Sequence, residues 1–243
     1  MPPTARHLLA ALGLLAVSCS PQVESPRPGP REPRTQSLSV PECPSLSVAE
    51  ISRPSGRSVS GDVDGDGRSE RVYLVVDRSG EPGCRALVVV RDSDGLDAAG
   101  LDDSVVSFEL GLPRLNSLVD IDSDGLEIVV DVAAGASTAF VGVFSMASGR
   151  LESVRLPRLP NVPSGLFAHG GSVGHLDAVD CRRDLVMISS AVAEARGYVV
   201  TRRLLEPRPG RWRLLRSLTE RSSVRPHQIE RFEEFSAPPF ASC

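Results

Sequence analysis

A short acidic loop stands before a run of β-branched residues at least twice in this chain, and that recurrence limits the folds open to it. Asp62 opens Asp-Val-Asp-Gly-Asp-Gly, and 58 residues later Asp120 opens Asp-Ile-Asp-Ser-Asp-Gly. After 57 more, Asp177 stands in the degenerate copy Gly174-His175-Leu176-Asp177-Ala178-Val179-Asp180. Each copy precedes an apolar run: Val72–Val76, Ile128–Val132 and Leu185–Ile188. One loop plus about four short strands fills such a period, which is the size of a propeller blade. Leu-Pro-Arg-Leu also occurs twice, at 112–115 and 156–159.

The strand pattern supports an all-β domain over 40–243. Runs rich in valine, leucine and isoleucine are bounded by Gly, Asp and Pro, which predicts strands at Arg71–Asp77, Arg85–Arg91, Val105–Leu110, Glu127–Val132 and Ala139–Ser145. The same rule predicts strands at Leu151–Leu156, Leu185–Ser190, Tyr198–Leu205 and Trp212–Ser217. Arg78–Gly83 and Ser148-Gly149 suit hairpin turns. Val224–Phe235 alone suggests a helix, with Pro226 in its first turn and Ile229, Phe232 and Phe235 on one side. The expected architecture is a propeller-like array of about three four-stranded units with a short C-terminal helix, incomplete as a ring.

The first loop carries the strongest chemistry. Asp62, Asp64 and Asp66 alternate, Gly67 permits a sharp turn, and Glu70 follows; Arg68 would offer its backbone carbonyl. Calcium takes six to eight oxygen ligands, and alternating carboxylates on a tight loop converge on one point. An EF-hand would need a bidentate glutamate at the twelfth position, where this chain has Tyr73 leading a strand. The loops instead resemble those of FG-GAP or VCBS-type repeats, whose D-x-D-x-D-G-x-x-D pattern is matched by Asp62, Asp64, Asp66, Gly67 and Glu70. The second copy keeps Asp120, Asp122, Asp124 and Gly125, with Glu127 one position early and Ile128 in the last ligand's place. The resemblance implies structural calcium at both loops, held less well by the second, and none at the third.

The N-terminus reads as an address. Arg6 and His7 precede the apolar run Leu8–Val17, which is too short to span a bilayer and suits a signal segment over 1–18. Ala16-Val17-Ser18-Cys19 resembles a bacterial lipobox, implying lipid on Cys19 and anchorage at the outer face of a membrane. With the repeats, it is similar to repeat-containing lipoproteins of actinobacteria. Residues 19–39, with Pro21, Pro26, Pro28, Pro30 and Pro33 among charged and small residues, form an expected disordered tether. Four cysteines remain: Cys43, Cys84, Cys181 and Cys243. Their even number in an exported chain implies two disulfides, with three pairings open; Cys43–Cys84 with Cys181–Cys243, one bridge near each end of the domain, is the expected set. Export and that acidic loop make a calcium-stabilised binding or scaffold module the leading functional reading.

Charge narrows the partners. The net charge of −4 excludes a globally basic nucleic-acid binder, and no run of 18 apolar residues exists. All 27 basic residues are arginine, a mark of a GC-rich bacterial genome. Residues 40–134 hold 8 arginines against 19 acids, while 196–231 hold 10 against 3. The arginine-rich end could receive an anionic envelope polymer or a protein partner. The rival reading is an envelope hydrolase: Gly170-Gly171-Ser172-Val173-Gly174 fits G-x-S-x-G, with His169 and His175 alongside. That chemistry needs a strand–nucleophile–helix turn; no clear apolar strand is expected before Ser172 and no helical pattern follows it, so no catalytic residue is assigned.

Overall fold

The computed structural model describes residues 43, 46–93, 95–172, 174–222 and 232–243. The signal segment, Cys19, the proline-rich stretch and Val224–Arg231 lie outside the described residues. The described chain is mostly antiparallel β, after one short helix α1 (Val48–Ile51). That helix opens on a capping box: Ser47 N–H donates to Glu50 Oε2 at 2.8 Å, and Glu50 N–H donates back to Ser47 Oγ at 3.3 Å.

Two sheets follow. The first is a four-stranded meander of β1 (Ser58–Gly61), β2 (Glu70–Val76), β3 (Ala86–Arg91) and β4 (Leu96–Gly100). The second has nine strands: β5 (Arg114–Val119), β6 (Glu127–Ala134), β7 (Thr138–Ala147), β8 (Arg150–Ser153), β9 (Leu166–Ser172), β10 (His175–Arg182), β11 (Leu185–Glu194), β12 (Gly197–Glu206) and β13 (Arg213–Ser222). Its order is β13-β12-β11-β10-β9-β7-β6-β5, with β8 sharing the edge of β7 with β9. Ser148 and Gly149, at φ 53° and 76°, form the two-residue turn between β7 and β8 that right-handed strand twist favours.

Burial on both faces explains the continuous apolar runs. On β2 and β3, Val72, Leu74, Val88 and Val90 face β6 and β7, packing with Ile128, Val130 and Phe144. The alternate residues Tyr73, Val75, Leu87 and Val89 pack outward, under Ile51 and the Cys43–Cys84 bridge. A strand covered on both sides cannot show polar alternation. At the far end Ala191, Tyr198 and Val200 form a similar outward cluster, covered by Phe232 and Phe235.

The nine-stranded sheet does not lie flat. β9 pairs with β10 only through Gly170–Ser172 and His175–Asp177, after which the strands part. In a flat sheet the start of β13 would lie roughly 19 Å from β9. Instead the Trp212 ring lies 5.4 Å from that of Phe167 on β9. Just beyond β8, Arg155 bridges the β12–β13 turn: its N–H donates to Gly210 O at 3.0 Å, and Trp212 N–H donates to Arg155 O at 2.9 Å. The β10–β12 part therefore folds across β6, β7 and β9, enclosing Val129, Val141, Val143, Phe167, Ile188 and Leu205. The C-terminal tail fills the opening where β9 leaves β10. Phe240 N–H donates to Val179 O at 2.9 Å, its ring meets Phe167 edge-on at 5.6 Å, and Cys243 is bonded to Cys181.

Two expectations need correction. Val105–Leu110 is no strand: Asp102 Oδ1 accepts from Ser104 N–H and Oγ–H, starting a turn, and Phe108–Leu110 is a 3-10 helix stopped by left-handed Gly111. Val105, Val106 and Phe108 pack into the inter-sheet core, so hydrophobicity imitates a strand there. The third acidic copy, Gly174–Asp180, is strand β10 rather than a loop. The expected C-terminal helix falls mostly outside the described residues, and its last residues hold a 3-10 turn at Glu233–Phe235.

Candidate functional site

The two acidic loops are built alike. Each follows the edge strand of its meander, β1 or β5, and leads into the next strand, β2 or β6. In the first, Asp66 N–H donates to Asp64 Oδ1 at 3.1 Å; in the second, Asp124 N–H donates to Asp122 Oδ1 at 3.1 Å. The residue after the first aspartate is apolar and buried in both, Val63 and Ile121. Its N–H donates to the closing glutamate: Val63 to Glu70 Oε2 and Ile121 to Glu127 Oε2, each at 2.9 Å. Glu127, one position early in sequence, thus occupies the place of Glu70. The shorter loop absorbs the missing residue before the strand.

Both glutamates are buried, at 4% and 3% exposure, and the first residue of each strand is a carboxylate with a charged loop in front of it. Burial pushes the Glu127 carboxyl up to about 8, with the Asp122 charge adding to it and the Ile121 N–H opposing it. Burial raises Glu70 as well, against the Val63 N–H, and Asp64, Asp62 and Asp66 add to the rise.

The loops also touch. A Cβ added to Gly65 would lie 2.3 Å from Asp124 O, and one on Gly125 would lie 2.8 Å from Val63 O. Backbone meets backbone here with no room for a side chain, and Leu126 N–H donates to Asp62 O at 2.9 Å. The two loops are consequently one rim feature shared by both sheets.

Within it, Asp62, Asp64 and Glu70 bring carboxylate oxygens to within 4.8 Å of one another, the one such group of three among the described residues. Asp66, whose Oδ1 accepts from Arg68 N–H at 2.8 Å, and Asp120, Asp122, Asp124 and Glu127 stand outside that group. Asp62 also accepts from Asp66 N–H and Gly67 N–H, which holds the loop in its turn. An all-oxygen set of this kind is one that could hold a hard cation.

A strand, β9, leads to Ser172, which pairs with His175 of β10, and no α-helix follows it among the described residues. His169 sits opposite Ala139 on β7, half-buried, and burial lowers its pKa against the pull of Asp131. His175 lies opposite Ser172, and its Nε2 is 2.6 Å from Asp177 Oδ2, a partner that strand alternation from 175 to 177 could have suggested. Ser172 Oγ accepts from Gly174 N–H at 3.4 Å. A cleft lined by Arg158, Leu159, Pro160, Asn161, Val162 and Pro163 contains none of these side chains.

Four arginines near the C-terminal end are matched locally rather than by the acidic loops. Arg202 binds Glu220 and Glu234, Arg208 and Arg213 share Glu206, and Arg221 lies 3.6 Å from Glu194. Among the described residues no helix is long and apolar enough to cross a membrane. No family model, curated protein or solved structure matches this chain.

Proposed function

We propose that this chain is a non-enzymatic binding or scaffold module of the cell envelope, anchored by lipid on Cys19 and stapled by calcium at the Asp62–Glu70 loop. The observation that carries the reading is the shared construction of the two loops. The same carboxylate and N–H pairing recurs in both, and the loops meet at glycines with no space for a Cβ. A charge-dense rim joining two sheets gains stability from a divalent ion that offsets the repulsion of its carboxylates. Asp62, Asp64 and Glu70 are the protein ligands, with Asp66 and the Arg68 carbonyl completing the loop. Asp120, Asp122, Asp124 and Glu127 form a weaker second position.

The repeat organisation is a propeller-like, open array of FG-GAP type. The meanders β1–β4, β5–β8 and β10–β13 are its three units, and the end units are covered by α1 and by Phe232 and Phe235 instead of by neighbours. Two disulfides suit an exported domain, and the lipobox-like Ala16-Val17-Ser18-Cys19 supplies the anchor. Exposed arginines near β13 give an anionic envelope polymer or protein a surface to meet.

Thermal melts with calcium and with EDTA test the staple. Calcium at a hundredfold excess over its dissociation constant adds about 2.7 kcal/mol. The expected result is a melting temperature lowered by EDTA in the wild type and unmoved in Asp62→Asn/Asp64→Asn. A wild-type melt indifferent to EDTA refutes the reading.

A further inference from the structure

We propose that β13 is the contact through which two copies of this chain associate, as a two-fold symmetric antiparallel strand pair centred on Leu218. β13 ends the nine-stranded sheet, with one edge on β12 and the other unpaired among the described residues. It is ten residues long, and every residue from Arg213 to Arg221 is exposed. The remaining sheet margins are occupied: β1 lies against β5, and β4 lies against β8, where Leu151 N–H donates to Asp97 Oδ2 at 2.8 Å. Of the five large apolar side chains that are exposed among the described residues, three are on this strand: Leu214, Leu215 and Leu218. A long, open edge is a template for another strand unless something blunts it. The register shift opposite Leu204 and Leu205 bends only the beginning of β13, leaving Arg216–Ser222 in regular register.

A second copy is the occupant because the strand complements itself. Arg216, Leu218 and Glu220 share one face, alternating along the strand. Turned antiparallel about Leu218, Arg216 of each copy falls opposite Glu220 of the other, twice, with Leu218 against Leu218. Opposite charges placed across strands attract and like charges repel. Arg202 already orients Glu220, whose side chain remains 59% exposed. The symmetry is closed, so association stops at two.

Sedimentation velocity on the full-length protein across a concentration series is the test. The wild type is expected to show a monomer–dimer equilibrium. Leu218→Lys should abolish the dimer, and Arg216→Glu should weaken it at least about tenfold. Glu220→Arg should do the same, and the double variant Arg216→Glu/Glu220→Arg should recover most of the loss. Thermal melts of each variant confirm that the fold is intact, since all three positions are solvent-facing. A wild type that stays monomeric, a species larger than a dimer, or a dimer that the charge reversals leave unchanged overturns the proposal. Failure of the double variant to recover overturns it as well.

Discussion

Glu127 should make this protein less stable as pH rises, provided no cation is present. Its carboxyl begins to ionise near 4.5 in the unfolded chain and only at about 8 in the folded one, because burial and Asp122 oppose the charge. Between those values the folded state keeps a proton that the unfolded state has lost. The stabilisation is therefore complete below the unfolded value and is lost progressively as pH climbs through the folded one. The full span corresponds to a ceiling of about 5 kcal/mol, at about 1.4 kcal/mol for each pH unit. Glu70, raised by the same cause, contributes in the same direction. Substituting Glu127→Gln keeps an oxygen to accept the Ile121 N–H and removes the titration. Urea unfolding in EDTA, followed by fluorescence of the buried Trp212, reads the result. The wild type and the variant should agree at about pH 5, and the variant should be more stable by several kcal/mol at about pH 9. Calcium should flatten the wild-type slope, since a bound cation favours the ionised carboxylate. Parallel pH curves for wild type and variant would refute the account of Glu127.

Two further substitutions probe the contacts that hold the layers together. Gly65→Ala places a methyl 2.3 Å from Asp124 O at a φ of +71°, so it should cost at least about 2 kcal/mol in urea unfolding and diminish the calcium response; an unchanged midpoint would mean the loops do not press together. Phe240→Ala should cost about 3–5 kcal/mol, because the ring fills the gap between Phe167 and Trp212, whereas Phe240→Leu should cost well under half of that. A loss below about 1 kcal/mol for the alanine variant would show that the tail does not close the core.

Much of the strand content is legible in one dimension. Val72–Val76 and Ile128–Val130 are apolar without interruption, and both of these strands are buried on both faces. β5, β9 and β10 are not legible in that way. Their sequences mix Asn, Ser, His, Gly and Asp with apolar residues, and their pairing comes from the neighbours they join. β10 shows the reason most clearly: Asp177 looks like part of a turn, yet its side chain is met by His175 across one strand interval, and Asp180 accepts from Ser242 N–H and Oγ–H. Those partners are two residues away in one case and 62 in the other, so composition around the aspartates gives no sign of the second.

The acidic loops divide along the same line. Alternating Asp62, Asp64 and Asp66, and the matching Asp120, Asp122 and Asp124, are properties of the sequence, as are the glycines that let each loop turn. By itself the sequence determined an all-β domain with carboxylates concentrated at two strand entries, since those depend on local spacing and side-chain type. Only the tertiary structure decided that Glu127 stands where Glu70 does and that Gly65 and Gly125 bring the loops into contact. It alone also decided that the nine-stranded sheet folds over Phe167. Each of these rests on segments far apart in the chain meeting at van der Waals distance, and close packing, unlike periodicity, is not encoded in any one stretch.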